Sequence, residues 1–66
     1  MTTNERDFFL SSVRARLARA RLALVWSQRK FLVSHDANDY EVMCEAQAER
    51  IAAIRAMMQV QALVVA

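Results

Sequence analysis

The sequence contains no glycine and no proline among its 66 residues. These two residues ordinarily mark turns and loops, so their absence argues against a loop-rich fold. The many alanine, arginine, leucine, glutamate and methionine residues favour nearly continuous helix instead. A chain this short buries only about 60% of its unfolded surface, and it usually needs a disulfide, a metal or a partner chain to become stable.

Cysteine and histidine each occur once, as Cys44 and His35. One cysteine excludes an internal disulfide, and the single histidine excludes a zinc site with an ordinary ligand set. Self-association therefore remains as the expected means of stabilisation. The N-terminus lacks the basic region of a signal peptide, and no apolar run approaches the roughly 20 residues of a membrane span. With the lone cysteine, these features predict a cytoplasmic protein that has no membrane segment, metal or cofactor.

Hydrophobic periodicity predicts two helices and one turn within a single unit spanning 1–66. Helix 1 is expected over about 4–33, the turn over about 34–38 and helix 2 over about 39–63. A short turn between two long helices predicts an all-α fold, an antiparallel two-helix hairpin.

Capping residues support these helix starts. Thr2 and Glu5 have the spacing of a capping box, and Asn4 is an alternative cap for helix 1. Asp36 or Asn38 is expected to cap helix 2.

Each helix carries an apolar row at alternating spacings of three and four residues, the pattern of a coiled-coil seam. The row on helix 1 comprises Leu10, Val13, Leu17, Ala20, Leu24, Ser27 and Phe31, and the row on helix 2 comprises Tyr40, Cys44, Gln47, Ile51, Ile54, Met58 and Val65. We expect the two rows to face each other, with Cys44 as a buried structural thiol.

Both helices also have a second apolar side that one hairpin cannot bury. A helix that is apolar on two sides is ordinarily buried on two sides, so two hairpins are expected to dimerise into a four-helix bundle. The expected dimer interface comprises Phe8, Leu22, Val42, Met57, Val60 and Val64. The alternative is that part of this second side, around Trp26, stays exposed to bind a partner.

Charge is segregated along the chain. The segment 8–35 contains six cations and no acid, whereas 36–49 contains five acids and no cation. The cations flank the seam of helix 1 as charged residues flank a coiled coil, which favours ion pairs with helix 2 or with a second chain. Two alternatives are an acidic protein partner and nucleic-acid binding. The expected nucleic-acid contacts are Arg14, Arg16, Arg19 and Arg21.

Residue types that are common in interface hot spots gather towards the turn end of the hairpin. The predicted partner-binding residues are Trp26, Arg29, Lys30, Val33 and Tyr40. The sequence has no glycine-rich phosphate loop and no catalytic Ser/His/Asp set, so it favours a non-enzymatic protein. We expect an inhibitor or adaptor that blocks a surface of its target.

The turn also resembles that of a known family. Asp36-Ala37, six further residues and then Cys44-Glu45 resemble the hairpin corner of the Rop family of plasmid copy-number regulators. Members of that family are antiparallel four-helix dimers that bind paired RNA loops. The resemblance implies RNA recognition by the face of helix 1 that includes Arg14 and Arg21.

In size and two-helix format, the whole chain resembles small phage-encoded host-takeover inhibitors. One kind is a two-helix dimer that blocks a LuxR-type quorum-sensing activator and a type IV pilus assembly ATPase. This resemblance implies steric inhibition of a host regulatory protein.

Overall fold

The computed structural model describes the backbone of residues 2–65 and the side chains of residues 2–63. It consists of two helices, α1 (Thr3–Ser34) and α2 (Ala37–Val65), which pack against each other. The molecule measures 48 × 15 × 12 Å. A helix of the length of α1 spans about 48 Å, so α2 folds back along α1. The expected all-α hairpin is therefore confirmed.

The first helix begins at the predicted capping box. The Thr2 hydroxyl accepts a hydrogen bond from the Glu5 backbone N–H at 3.2 Å, and the Glu5 carboxylate accepts one from the Thr2 N–H at 3.4 Å. Thr2 is thus the N-cap, and the alternative cap Asn4 lies inside α1. The two bonds satisfy backbone donors that a helix start leaves unpaired.

The turn is shorter than expected and comprises only His35 and Asp36. His35 adopts the left-handed conformation, with φ 52° and ψ 26°, and its N–H donates to the Phe31 carbonyl at 2.8 Å. The Asp36 carboxylate then accepts from the Asn38 N–H at 2.7 Å, which makes Asp36 the cap of α2. Both helices extend further into the turn because one left-handed residue reverses the chain without a glycine.

The row of α1 that was expected to face α2 does so. Leu17, Ala20, Leu24 and Ser27 are buried, and Leu10, Val13 and Phe31 at the two ends are partly buried. Ser27 is accommodated because its hydroxyl donates to the Leu24 carbonyl at 2.9 Å. The seam of α1 is therefore predictable from its periodicity.

The row of α2 that faces α1 differs from the predicted one, although Ile54 of the predicted row packs against the core. Val65 of that row lies outside the residues whose side chains are described. The inward row comprises Met43, Ala46, Arg50, Ala53, Met57 and Val60, and Ala53 is 0% exposed. Cys44 is exposed, as are Tyr40, Ile51 and Met58, so the expectation of a buried thiol is wrong. Ala53 packs with Leu17 and Ala20. Small side chains on both helices let the backbones approach closely, which turns the alanine-bearing row of α2 inward.

Because a different row of α2 faces α1, the burial of the residues expected at a dimer interface also differs. Met57 packs against the core of the hairpin, and Val60 lies on the same inward row, partly buried. Phe8, Leu22 and Val42 are more than half exposed and remain available to a partner. Val64 lies outside the residues whose side chains are described.

Candidate functional site

Between the helices, the described side chains line grooves on both faces of the hairpin. The tip groove, about 580 Å³ in volume, is lined by Ala23, Trp26, Ser27, Arg29, Lys30 and Val42. The rear groove, about 290 Å³, is lined by Leu24, Gln28, Met43, Cys44 and Gln47. Ala23 and Lys30 flank the buried row of α1 on one side and Gln28 flanks it on the other, so the grooves lie on opposite faces of the hairpin.

Trp26 is the dominant side chain of the tip groove and is 62% exposed. The Arg29 guanidinium lies 6.0 Å from the centre of its ring, within the range of a cation–π contact. The two residues are three positions apart on α1, which brings their side chains to neighbouring positions on the helix surface. Ala23 and Val42 supply apolar lining from α1 and α2. The groove therefore combines an aromatic anchor, an apolar lining and a cationic rim.

A network at the turn holds Lys30 beside this groove. Lys30 Nζ lies 3.4 Å from Oδ1 of Asp39, and the other carboxylate oxygen, Oδ2, accepts a hydrogen bond from the Ser34 hydroxyl. The Ser34 hydrogen bond, aided by Lys30, holds the pKa of the Asp39 carboxyl below its usual value. Asp39 thus stays negatively charged and anchors the Lys30 side chain. Among the side chains of residues 2–63, Arg29 forms no ion pair, so its charge remains open to a partner.

The structure brings together three of the five predicted partner-binding residues. Trp26, Arg29 and Lys30 line the tip groove. Val33 is 87% exposed and is not part of its lining. Tyr40 packs on Phe31, with ring centres 5.4 Å apart, and closes the turn end of the hairpin.

The hydrophobic pattern of the sequence does not place Val42 in this groove. Counting outward from the two-residue turn puts Val42 level with the Ala23–Arg29 part of α1. Placing Val42 there requires knowing which residues form the turn and which side of α2 faces α1, and the hydrophobic pattern provides neither.

The four predicted nucleic-acid contacts do not share one surface. Arg14 and Arg21 lie seven residues apart on the rear side of α1, whereas Arg16 and Arg19 lie on other sides of that helix. Arg16 is also occupied, because its guanidinium donates two hydrogen bonds to Glu49 of α2, at 2.7 and 3.2 Å. The hydrogen bond to Glu49 raises the pKa of Arg16 and lowers the pKa of Glu49.

The molecule is thus a two-helix hairpin with an exposed aromatic and cationic groove. No protein-family model, curated protein or solved structure matches the chain. Over residues 2–65, neither helix has a segment of the length and hydrophobicity that crossing a bilayer requires. In the same part of the chain, no three histidine, cysteine, aspartate or glutamate side chains are arranged to share a metal ion.

Proposed function

We propose that this protein is a non-enzymatic protein-binding module, an inhibitor or adaptor, that acts as a homodimer. The observation that carries the proposal is the tip groove, where the exposed Trp26 ring stands beside Arg29 and an apolar lining. Tryptophan and arginine are the residue types most enriched among interface hot spots.

The tip groove is suited to an apolar side chain of a protein partner. Its volume of about 580 Å³ falls within the range of about 300–1,000 Å³ that is typical of ligand pockets. Trp26 and Val42 would cover an inserted side chain, while Arg29 would pair with a carboxylate or carbonyl oxygen beside it. Binding of this kind inhibits by occupying the surface that the target uses for another contact.

The exposed area of one hairpin supports self-association. Its accessible surface is 5123 Å² for a mass of 7.6 kDa. A compact monomer of that mass exposes about 4,300 Å², which leaves an excess of about 800 Å². That excess is about the area that each partner buries in a standard protein interface.

A four-helix bundle is the arrangement that we propose for the dimer. Phe8 and Leu22, which are 67% and 59% exposed, lie on the side of α1 turned away from α2. A second hairpin packed against them would bury apolar surface that the single chain leaves in water. Trp26 lies on the same side of α1, one turn beyond Leu22, so the proposed interface ends short of Trp26 and leaves the tip groove open, with Val42 at its edge.

The proposed target is a host regulatory protein of a bacterium, such as a LuxR-type quorum-sensing activator or a pilus assembly ATPase. The resemblance of the chain in size and two-helix format to phage-encoded inhibitors supports this choice. The exposed free thiol of Cys44 supports action in a reducing compartment such as the cytoplasm.

Calorimetric titration of the purified protein with a LuxR-type activator, and separately with a pilus ATPase, tests the proposal. We expect Trp26→Ala to weaken binding at least about tenfold. Leu32→Ala is the matched control, because Leu32 is an equally exposed apolar residue of α1 that lies outside the groove. If Trp26→Ala binds as the original protein does while remaining dimeric, the tip groove is not the binding site.

RNA binding is the second candidate function. It is favoured by Arg14, Arg19 and Arg21, which are exposed and form no ion pair with the side chains described. An RNA complex held by these arginines would weaken steeply as salt increases, with a slope set by the number of phosphates contacted. Gel-shift titrations with a structured RNA at two salt concentrations provide the test, and absence of a shift at low salt eliminates this candidate.

A further inference from the structure

The rear face of the hairpin brings arginines from both helices to the same level. Arg14, Arg21 and Gln28 follow one line of α1 at seven-residue spacing, and Met43 and Arg50 follow one line of α2. Gln28 and Met43 both line the rear groove. Arg21 lies seven residues further from the turn than Gln28, and Arg50 lies seven residues further from it than Met43. Arg21 therefore lies across from Arg50.

The side chain of Arg50 is partly buried and lacks one of its hydrogen-bond acceptors. Its Nε atom is buried and has no hydrogen-bond acceptor. A buried donor that lacks an acceptor costs about 1–3 kcal/mol. A docking carboxylate does not reach this buried atom, but neither Arg50 nor Arg21 forms an ion pair with the described side chains, so both guanidinium charges are left for an external acid.

The acids of the chain are directed elsewhere. Glu49 is bonded to Arg16 and Asp39 to Lys30 and Ser34. Glu41 and Glu45 are turned about 180° and 140° around α2 from Arg50. On the line of Arg14 and Arg21, the nearest acid is Asp7, two turns beyond Arg14 and 3.9 Å from Arg6.

We propose that Arg21 and Arg50 form a receptor for a carboxylate of an acidic, amphipathic protein segment that docks along the rear face. This is a second protein-binding site, on the face opposite the tip groove, and its occupant is specified as an acidic segment. Two guanidinium groups can bind one carboxylate through paired, charge-assisted hydrogen bonds.

The surroundings of the two arginines favour a protein segment over a nucleic acid. The rear groove beside them is lined by Leu24, Met43 and Cys44, and Ile51 and Met58 are exposed along the adjoining row of α2. An amphipathic helix can place apolar side chains in such a groove and carboxylates on the arginines at its edge.

Charge also argues against a second copy of the chain on this face. A two-fold dimer presents the same patch from both subunits. Packing rear face against rear face would bring the arginines of both chains together, and like charges in an interface cost several kcal/mol. We therefore assign the rear face to the acidic segment and not to the dimer, whose proposed contact is the outer side of α1.

Fluorescence anisotropy with a labelled helical peptide that carries one row of leucines and one row of glutamates tests this proposal on the full-length protein. A peptide with lysine in place of glutamate is the matched probe. We expect binding of the glutamate peptide alone, weakened at least fivefold by Arg21→Gln and by Arg50→Gln. Arg19→Gln is the matched control, because it removes the same charge from a different side of α1. Absence of peptide binding, or equal losses in Arg21→Gln and Arg19→Gln, overturns the proposal.

Alkylation of Cys44 locates the bound peptide, because this single cysteine lines the rear groove. The glutamate peptide should slow its reaction with iodoacetamide, and the lysine peptide should not. If Cys44 of the peptide-free protein reacts slowly at high protein concentration and faster after dilution, the rear groove is a dimer interface and the proposal is overturned. A structured RNA that binds more tightly than the peptide, with the same dependence on Arg21 and Arg50, would also overturn it.

The variant Trp26→Ala separates this inference from the proposed function. Peptide binding to the rear face should survive that substitution. If Trp26→Ala abolishes peptide binding and Arg21→Gln does not, the rear-face proposal fails while the tip groove stands as the protein-binding site.

Discussion

The Arg16 guanidinium of α1 and the Glu49 carboxylate of α2 face each other as a forked pair, with Nε 2.7 Å and Nη2 3.2 Å from the two carboxylate oxygens. The residues are 33 positions apart in the chain. Their side chains are 41% and 49% exposed, so water and salt screen the attraction. The pair therefore contributes more to the alignment of the two helices than to the free energy of unfolding.

Replacement of Glu49 with glutamine should make the hairpin less sensitive to acid. The hydrogen bond from Arg16 lowers the pKa of Glu49 in the folded state, so the unfolded chain binds a proton more readily. The stability contributed by Glu49 is present above its unfolded pKa, about 4.3, and is lost as the pH falls through the lower folded value. Urea unfolding between about pH 7 and pH 3 should show a smaller loss of stability in Glu49→Gln than in the original protein.

Glu41→Gln is the control for that experiment, because the described side chains offer Glu41 no ion pair. This substitution removes the same charge from α2 and leaves the hydrogen bond between Arg16 and Glu49 in place. Identical pH profiles for Glu49→Gln and Glu41→Gln would contradict a role for the Arg16 hydrogen bond. The pKa of Asp39 is also lowered, chiefly by the hydrogen bond from Ser34. Asp39→Asn should therefore also reduce the loss of stability between about pH 7 and pH 3.

Glycine at position 35 should stabilise the hairpin. His35 occupies the left-handed region, which costs a residue with a β-carbon roughly 1 kcal/mol. His35→Gly removes that cost, although it also removes the contact of the imidazole with the Phe31 ring, 5.8 Å away. We expect a net gain of about 0.5 kcal/mol in the free energy of urea unfolding. His35→Ala loses the ring but keeps the β-carbon, so it should be less stable than either protein.

Removal of the guanidinium of Arg50 should also stabilise the free protein. Arg50→Met keeps a long apolar side chain in the partly buried position and eliminates the buried Nε that lacks an acceptor. A gain of about 1 kcal/mol in thermal unfolding is expected. Arg55→Met, which removes a cation from an exposed position on the same helix, should change stability by less than about 0.5 kcal/mol. A lower melting temperature for Arg50→Met would show that Arg50 stabilises the hairpin.

The melting temperature should depend on protein concentration if two hairpins assemble. Ligand and subunit binding stabilise the folded state by mass action, so thermal unfolding should shift upward from micromolar to millimolar protein. Leu22→Glu places a charge in the proposed interface and should yield a lighter species in sedimentation equilibrium. Leu32→Glu is its matched control, because Leu32 is a leucine of similar exposure on another side of α1. A concentration-independent melting temperature would rule out the dimer.

The two helices differ in how far their sequences determined their packing. On α1 the row from Leu10 to Phe31 was the best apolar seam, and the structure buries it. On α2 two apolar rows compete, and the larger side chains of Ile51 and Met58 favoured a row of which Ile54 packs against the core but Ile51 and Met58 are exposed. Backbone approach at Ala53 decided between them, and hydrophobic periodicity does not measure how closely two helices can approach.

The candidate site was only partly predictable for the same reason. Trp26, Arg29 and Lys30 lie within two turns of one helix, so their proximity follows from local geometry. Val42 and Arg50 belong to α2, and their positions opposite α1 depend on the rotation of that helix. The left-handed conformation of His35 was also not predictable from the sequence, because glycine or asparagine ordinarily adopts that conformation.

The two-residue turn has a consequence for how the molecule could change. Successive residues of a helix are separated by about 100°, and the two apolar rows of α2 differ by a similar angle. If α2 starts from the same point, loss of one residue between Ser34 and Ala37 would therefore bring the row of Cys44, Ile51 and Met58 against α1. Gain of one residue would instead turn Glu45 and Glu49 inward. The length of the turn thus selects which side of α2 lies inside, so deletion of a single codon there would exchange an inner for an outer surface of that helix.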